Sequence, residues 1–174
     1  MIPEPLTRAM EEALAEGVFP GAVLLVGTAD APIYHRSFGI TSLDPKSGEA
    51  TLETYYDLAS LTKPLATAGV ALLLIDRGEI SLNDPVSRWV PSWTEGERGK
   101  ATLAHLLSHS SALPAWRPFY QSLLDWQQRG EGKIGSDAAR NYLYDLVKKE
   151  PLVYPVGTKS EYSDLGFILL GEIL

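Results

Sequence analysis

The run from Ser60 to Ile75 constrains the fold of this chain more than any other stretch. Leu65, Ala68, Leu72 and Ile75 fall on one helical stripe, and Val70, Leu73 and Leu74 widen it until polar positions nearly vanish. A helix of that composition is predicted to be buried nearly all round, with other elements packed on several of its sides. Pro64 is tolerated only in a first turn, where its missing N–H has no intrahelical partner, so the helix is predicted to start near Ser60. Asp76-Arg77-Gly78 supplies the stop.

Ser60 and Lys63 stand three residues apart in that first turn, which puts a hydroxyl and an ammonium on one face and within mutual reach. The helix N-terminus and burial would both lower the lysine pKa, and a neutral lysine can deprotonate a serine. The tetrad alone is weak: a chain with 14 Ser and 7 Lys contains Ser-x-x-Lys by chance about 0.6 times. A helix cap beside a surface charge is the plain alternative, and what lies downstream decides between them.

A hydrophobic content of 45% with 21% charged residues is ordinary for a globular domain and argues against disorder. The net charge of −7, with no basic run, argues against a phosphate-backbone partner, so no nucleic acid is expected. The absence of cysteine removes disulfides and thiol catalysis. No uninterrupted apolar run approaches eighteen residues, so no membrane span is expected. Met1 to Pro5 lacks a basic and then apolar leader pattern. The expected localisation is therefore cytoplasmic, or periplasmic or secreted where the N-terminus was processed or replaced.

In chain order, Leu6, Met10, Ala13 and Leu14 predict an amphipathic helix from Pro5 to Gly17. Ala22 to Val26 and Ile33 to Phe38, joined across Ala29-Asp30-Ala31-Pro32, predict an antiparallel hairpin. Asp44 to Gly48 is turn chemistry, and Ala50 to Asp57 has no clear period and reads as loop. Leu82 to Val86 opens a short element whose Trp89 and Trp93 belong to the core. Glu95 to Lys100 reads as a solvated loop. Thr102 caps a short buried helix, Leu103 to His109. Gln127 to Gly135 reads as an exposed excursion before a helix capped by Ser136, with Leu143, Leu146 and Val147 inward. The last helix, Asp164 to Leu174, has no stop signal, and a lone hairpin is marginal in water. Both features lead to the expectation that sequence is missing. The division expected is residues 1–58, carrying the first helix and hairpin, and residues 59–174, mainly helical.

His105 and His109 have the i, i+4 spacing of a metal pair, but Leu106 stands where a zincin has its glutamate and no third ligand is evident. Packed, hydrogen-bonded histidines are expected instead. Tyr162-Ser163-Asp164, just ahead of the last helix, could hold a phenol rigidly beside another element.

Taken together and in order, these pieces resemble the penicillin-recognising serine hydrolases of the class C β-lactamase type, with their esterase and D-aminopeptidase-like relatives. Ser60-Leu61-Thr62-Lys63 resembles the nucleophile tetrad. Leu106 to Pro114 resembles the family's Leu-Leu-Thr-His-Thr-Ser-Gly-Leu segment, and Pro155-Val156-Gly157, Tyr162-Ser163-Asp164 and Leu169-Leu170-Gly171 resemble the segment with its Tyr-x-Asn motif. The resemblance implies an α+β fold of the β-lactamase/transpeptidase kind, an antiparallel sheet flanked by helices with a helical subdomain, whose C-terminal strands are not in this sequence. It implies no cofactor and no metal. Ser60 becomes the acylated nucleophile, Lys63 and Tyr162 share the proton work, and Asp164 contacts substrate and Lys63. The Ser60 N–H would be one oxyanion donor, and the second comes in the family from a late strand that also carries a Lys/His-Thr/x-Gly motif. No such motif follows Tyr162.

Asp164 stands where Asn is commoner. A carboxylate there favours the ammonium form of Lys63 and removes an amide donor from β-lactam recognition. The expected partner is thus a small ester, amide or β-lactam, with esterase or peptidase-like chemistry favoured, beside possible self-association through an incomplete sheet. The alternative is a fragment without catalysis, or a cell-wall-peptide binding module of the same fold.

Overall fold

The computed structural model describes residues 4–174, which form two compact units, one running to Asp57 and the other from Leu58 to Leu174. The first opens with α1, Glu4–Ala15. Its end is closed by Gly17 at φ +71°, whose N–H reaches Leu14 O at 3.0 Å, while Val18 N–H reaches Ala13 O at 3.0 Å. Strands β1, Gly21–Gly27, and β2, Pro32–Gly39, pair antiparallel with Ala22 opposite Phe38 and Leu24 opposite Arg36, the register breaking between Val26 and Gly27. Gly39 is required where it stands: φ is +68°, and a Cβ there would lie 2.3 Å from Pro20 O. Tyr34 and Phe38 are the buried side chains of β2, and the Tyr34 hydroxyl bonds Thr7 Oγ1 of α1 at 2.9 Å. Residues 51–57 form no regular element beyond turns.

The second unit carries the larger core. A 3₁₀ turn, Ala59–Leu61, a π-helical turn, Lys63–Ala68, and α2, Gly69–Asp76, form one continuous helical run closed by Gly78 at φ +72°. Short 3₁₀ turns at 86–88, 91–93 and 98–100 lead to α3, Leu103–Leu107. Then come α4, Phe119–Gln128, α5, Asp137–Lys149, and α6, Asp164–Ile173. The centre is α6: Leu165, Leu169 and Leu170 are buried against Val86, Val90, Trp93, Leu103, Leu106, Leu113 and Val147. Trp93 is fully buried with its Nε1–H on Lys148 O at 3.1 Å, whereas Trp89 is only partly buried, with Arg88 over its ring. Arg98 ties the 98–100 turn to the end of α5, donating to Lys149 O at 3.2 Å and Glu150 O at 2.7 Å.

One sequence expectation is reversed. The run through α2 is not buried nearly all round: Leu65 is 65% and Leu72 67% exposed, Val70 and Leu73 are exposed too, and within α2 only Ala71 is buried. The last helix, which the sequence reading left without a stop signal, is the interior of its unit. Apolar residues all round a helix state that every face can be buried, but not which elements do it, and α6 meets its partners within residues 86–147. By length and composition alone, residues 59–76 are also apolar enough to cross a membrane, with mean hydropathy 1.3 over 18 residues. The polar Ser60, Thr62, Lys63 and Thr67 that interrupt the run hide this from a search for unbroken apolar sequence. Such a figure is equally that of a globular core helix, and Lys63 near its start is fixed by side-chain contacts to α6.

The helix missing from the sequence reading is α4. Phe119, Leu123 and Trp126 at i, i+4 and i+7 were its signal, and Trp126 is buried and stacked on Tyr142 of α5 with centroids 5.4 Å apart.

Candidate active site

Ser60 sits in the 3₁₀ turn immediately after Ala59, whose φ of +44° is a strained backbone angle for a residue with a Cβ. The helix beyond runs as a π turn through Pro64 before regular α geometry begins at Gly69. That irregular start weakens the aligned backbone dipole on which a lowered Lys63 pKa was predicated, because the i to i+4 ladder does not reach the first turn.

Tyr162 and Asp164 are brought to this turn by a seam of hydrogen bonds between residues 108–115 and 153–164. Val153 N–H donates to Ala112 O at 2.9 Å, Gly157 N–H to Ser110 O at 2.9 Å, Glu161 N–H to His109 O at 2.8 Å and Asp164 N–H to Ala115 O at 2.8 Å. Ser160 Oγ adds a bond to Ser108 O at 2.8 Å. Ser163, 1% exposed, locks the seam: its hydroxyl donates to Pro114 O at 2.7 Å and accepts from Gly166 N–H at 3.1 Å as the N-cap of α6. Gly157, at φ +77°, lets the chain turn against the His105 imidazole, where a Cβ would lie 3.0 Å from Nε2.

The four residues singled out in the sequence converge. Tyr162 Oη lies 2.8 Å from Ser60 Oγ, and Lys63 Nζ lies 3.5 Å from the same oxygen. Lys63 Nζ is bound to Asp164 Oδ1 at 2.6 Å, across 101 residues of sequence, and stands 4.9 Å from the centroid of the Tyr162 ring and 5.9 Å from that of Phe167. The lysine side chain is only 16% exposed.

Burial is the largest single influence on the Lys63 ammonium and pushes its pKa down, but the bonds and charges of Asp164 and Tyr162 together outweigh it, and the net direction is upward. This corrects the expectation of a neutral lysine base. Tyr162 moves the other way: its hydrogen bonds to Lys63 and then to Ser60 draw its phenol below the ordinary tyrosine range. The arrangement therefore holds a cationic lysine beside a phenol that gives up its proton more readily than usual, with the serine hydroxyl between them.

The two histidines are occupied structurally. His105 Nδ1 accepts the Thr102 N–H at 3.1 Å and closes the start of α3. His109 Nδ1 accepts the Ser163 N–H at 3.1 Å. Among the described residues no three His, Asp or Glu side chains form a group that could hold a metal ion. Beside Ser60 opens a pocket of about 550 Å³ whose wall is largely apolar, from Leu58, Leu61, Pro64, Ala68, Leu107 and Phe167. Phe167 and Leu107 were not singled out in the sequence as site residues. Phe167 could have been found from its place one turn beyond Asp164 on the same helix.

Ser60, Lys63, Tyr162 and Asp164 thus meet at the start of one helical run, although Tyr162 and Asp164 lie about a hundred residues further along the chain. The chain belongs to the Beta-lactamase family, whose description matches residues 6–174. It is similar to Esterase EstB of Burkholderia gladioli, with 36% identity over 181 aligned positions that cover 97% of this chain and 44% of the esterase. Among solved structures it is similar to the octameric penicillin-binding protein homologue from Pyrococcus abyssi, with a TM-score of 0.77 and 26% identity over 99% of this chain and 38% of that one. A class C β-lactamase from Rhodobacter sphaeroides shares the fold, with a TM-score of 0.70 and 24% identity over 96% of this chain and 42% of that one. The chain thus spans about two-fifths of the length of the relatives it matches. The α+β fold is that of the β-lactamase and penicillin-binding protein class, and the relatives place it at family level among serine hydrolases.

Proposed function

We propose that the protein hydrolyses a small ester, or a comparably small amide, through an acyl-enzyme on Ser60. The observation that carries this reading is the Ser60 hydroxyl 2.8 Å from Tyr162 Oη, with Lys63 held to Asp164 behind it. Tyr162, drawn toward its phenolate by Lys63, takes the Ser60 proton as Oγ attacks the substrate carbonyl carbon, and then returns that proton to the leaving oxygen or nitrogen as the acyl–oxygen or acyl–nitrogen bond breaks. Water repeats the sequence to release the acid and restore Ser60. Lys63 remains an ammonium throughout, its role electrostatic toward the phenolate and the developing oxyanion.

Three features favour ester over β-lactam: the carboxylate of Asp164 in place of an amide donor, the apolar pocket beside Ser60, and the similarity to an esterase. The test is a fluorophosphonate label followed by peptide mass spectrometry. The adduct is expected on Ser60 and should vanish in Ser60→Ala; an adduct elsewhere that survives the substitution overturns the assignment. Parallel kinetics on a short-chain p-nitrophenyl ester and a chromogenic cephalosporin should give the larger kcat/KM for the ester, and the reverse order would refute the substrate preference.

A further inference from the structure

We propose that His109 is the positioning residue that aims Tyr162 at Ser60, and that its protonation releases that aim and sets the acid limit of the reaction. This rests on the function proposed above and adds to it a residue that does not touch the reacting atoms.

His109 grips the segment 161–163 at three points. Its backbone carbonyl accepts the Glu161 N–H at 2.8 Å, its Nδ1 accepts the Ser163 N–H at 3.1 Å, and its ring lies against that of Tyr162 with centroids 4.6 Å apart. The same imidazole contacts the Phe167 ring at 4.8 Å, so it sits between the tyrosine and the apolar first turns of α6. Tyr162 itself is half exposed, and its hydroxyl meets only the groups it must be aimed at, Ser60 and the Lys63 ammonium. The direction of its ring thus depends on what clamps the backbone on either side of it, and both flanking N–H groups end on His109.

The clamp works with neutral imidazole only. Nδ1 accepts through a lone pair, and a proton placed there would face the Ser163 N–H donor to donor. The charged groups around the ring are the Lys63 ammonium from the helix that follows Ser60, the Tyr162 phenol from the seam and the Asp164 carboxylate from the start of α6. Burial first, and then the Lys63 charge, hold the imidazole below the ordinary histidine range, with the Ser163 backbone contact and then the Asp164 carboxylate opposing them. His109 also has φ +57°, a conformation that asparagine tolerates better than most residues.

That pair of constraints supplies the test. His109→Asn keeps an acceptor and tolerates the backbone angle, but cannot titrate and loses the ring contact; His109→Phe keeps the ring and loses the acceptor. Rates of Ser60 labelling by a fluorophosphonate across pH 4 to 9 are expected to fall about tenfold to a hundredfold in His109→Phe, the scale set by misaiming a reacting group. In wild type they should fall on the acid side with a midpoint equal to that of the His109 resonances by NMR, readily assigned among three histidines. In His109→Asn the step at the His109 midpoint should disappear, leaving a lower profile that keeps only the limb on which Tyr162 loses its proton. A step retained at the His109 midpoint in His109→Asn overturns the proposal.

A second readout needs no activity. In protein carrying ¹³Cζ-tyrosine, with Tyr162 assigned by Tyr162→Phe, its resonance should shift with the His109 midpoint, and the shift should be lost in His109→Asn. A Tyr162 resonance indifferent to His109 overturns the inference even if Ser60 labels normally. A coupled Tyr162 in a protein that never labels sustains the clamp and instead overturns the hydrolase reading.

Discussion

Asp164 fixes the charge state of Lys63, and through it the readiness of Tyr162 to accept a proton. The lysine side chain is mostly buried, which on its own would favour the neutral amine, yet the carboxylate at 2.6 Å outweighs that burial together with Tyr162. Asp164→Asn should therefore lower the Lys63 pKa. Because the ammonium is what holds the tyrosine toward phenolate, the alkaline limb of the Ser60 labelling rate should move to lower pH in the variant, measurable with a fluorophosphonate between pH 8 and 11. An unmoved limb would mean that Asp164 does not govern the lysine. Stability should carry the same signature: a raised folded-state lysine pKa stabilises below the unfolded value, near 10.5, and the contribution is lost as pH rises through the folded value. At this scale the pairing of Ser60 with Lys63 was legible, because three residues on a helix is a local spacing. The direction of the lysine shift was not legible from the helix itself, since the deciding carboxylate is 101 residues away and entered only through the family resemblance.

At the scale of elements, the loop-to-helix join at Ser163 is the mechanical centre of the site. The hydroxyl caps α6 and satisfies the Pro114 carbonyl at 1% exposure, so Ser163→Ala removes the cap and leaves a buried acceptor unpaired. The expected loss is about 2 kcal/mol, from a cap near 1 and a stranded buried acceptor near 1. Ser136 caps α5 through Ala139 N–H at 3.2 Å in a more exposed setting, so Ser136→Ala should cost about half as much. Urea denaturation of the two variants checks the order, and equal losses would contradict it. The Ser136 cap was readable as serine ahead of a helical pattern, as were α1, the hairpin and α6, whereas the Ser163 cap was not read from the sequence. What escaped was geometry that propensity does not encode. The π turn over Lys63–Ala68 looks in sequence like ordinary helix, and α4 was passed over because its aromatic periodicity runs straight into the polar stretch that begins at Gln127.

For the 174 residues taken together, composition implied a packed domain, and the interior is α6 rather than the run through α2 that periodicity had pointed to. The run through α2 and the segment Asp164 to Leu174 are similarly apolar, and hydropathy alone cannot rank them. Packing partners decide, and they favour α6, which carries five buried residues against one in α2. The consequence is physical. Leu61, Leu65 and Leu72, with Val70 and Leu73 further round, leave exposed apolar surface on one helical run, and surface of this kind attracts partners. The 174-residue chain is therefore expected to self-associate in dilute buffer, with light scattering giving a mass well above the 19.0 kDa of one copy. Leu65→Glu with Leu72→Glu should return it toward that mass, since both side chains are about two-thirds exposed and neither is part of the buried core. A wild-type chain that stays monomeric across a hundredfold range of concentration would show that this face does not drive association, and a mutant that associates equally well would place the contact elsewhere.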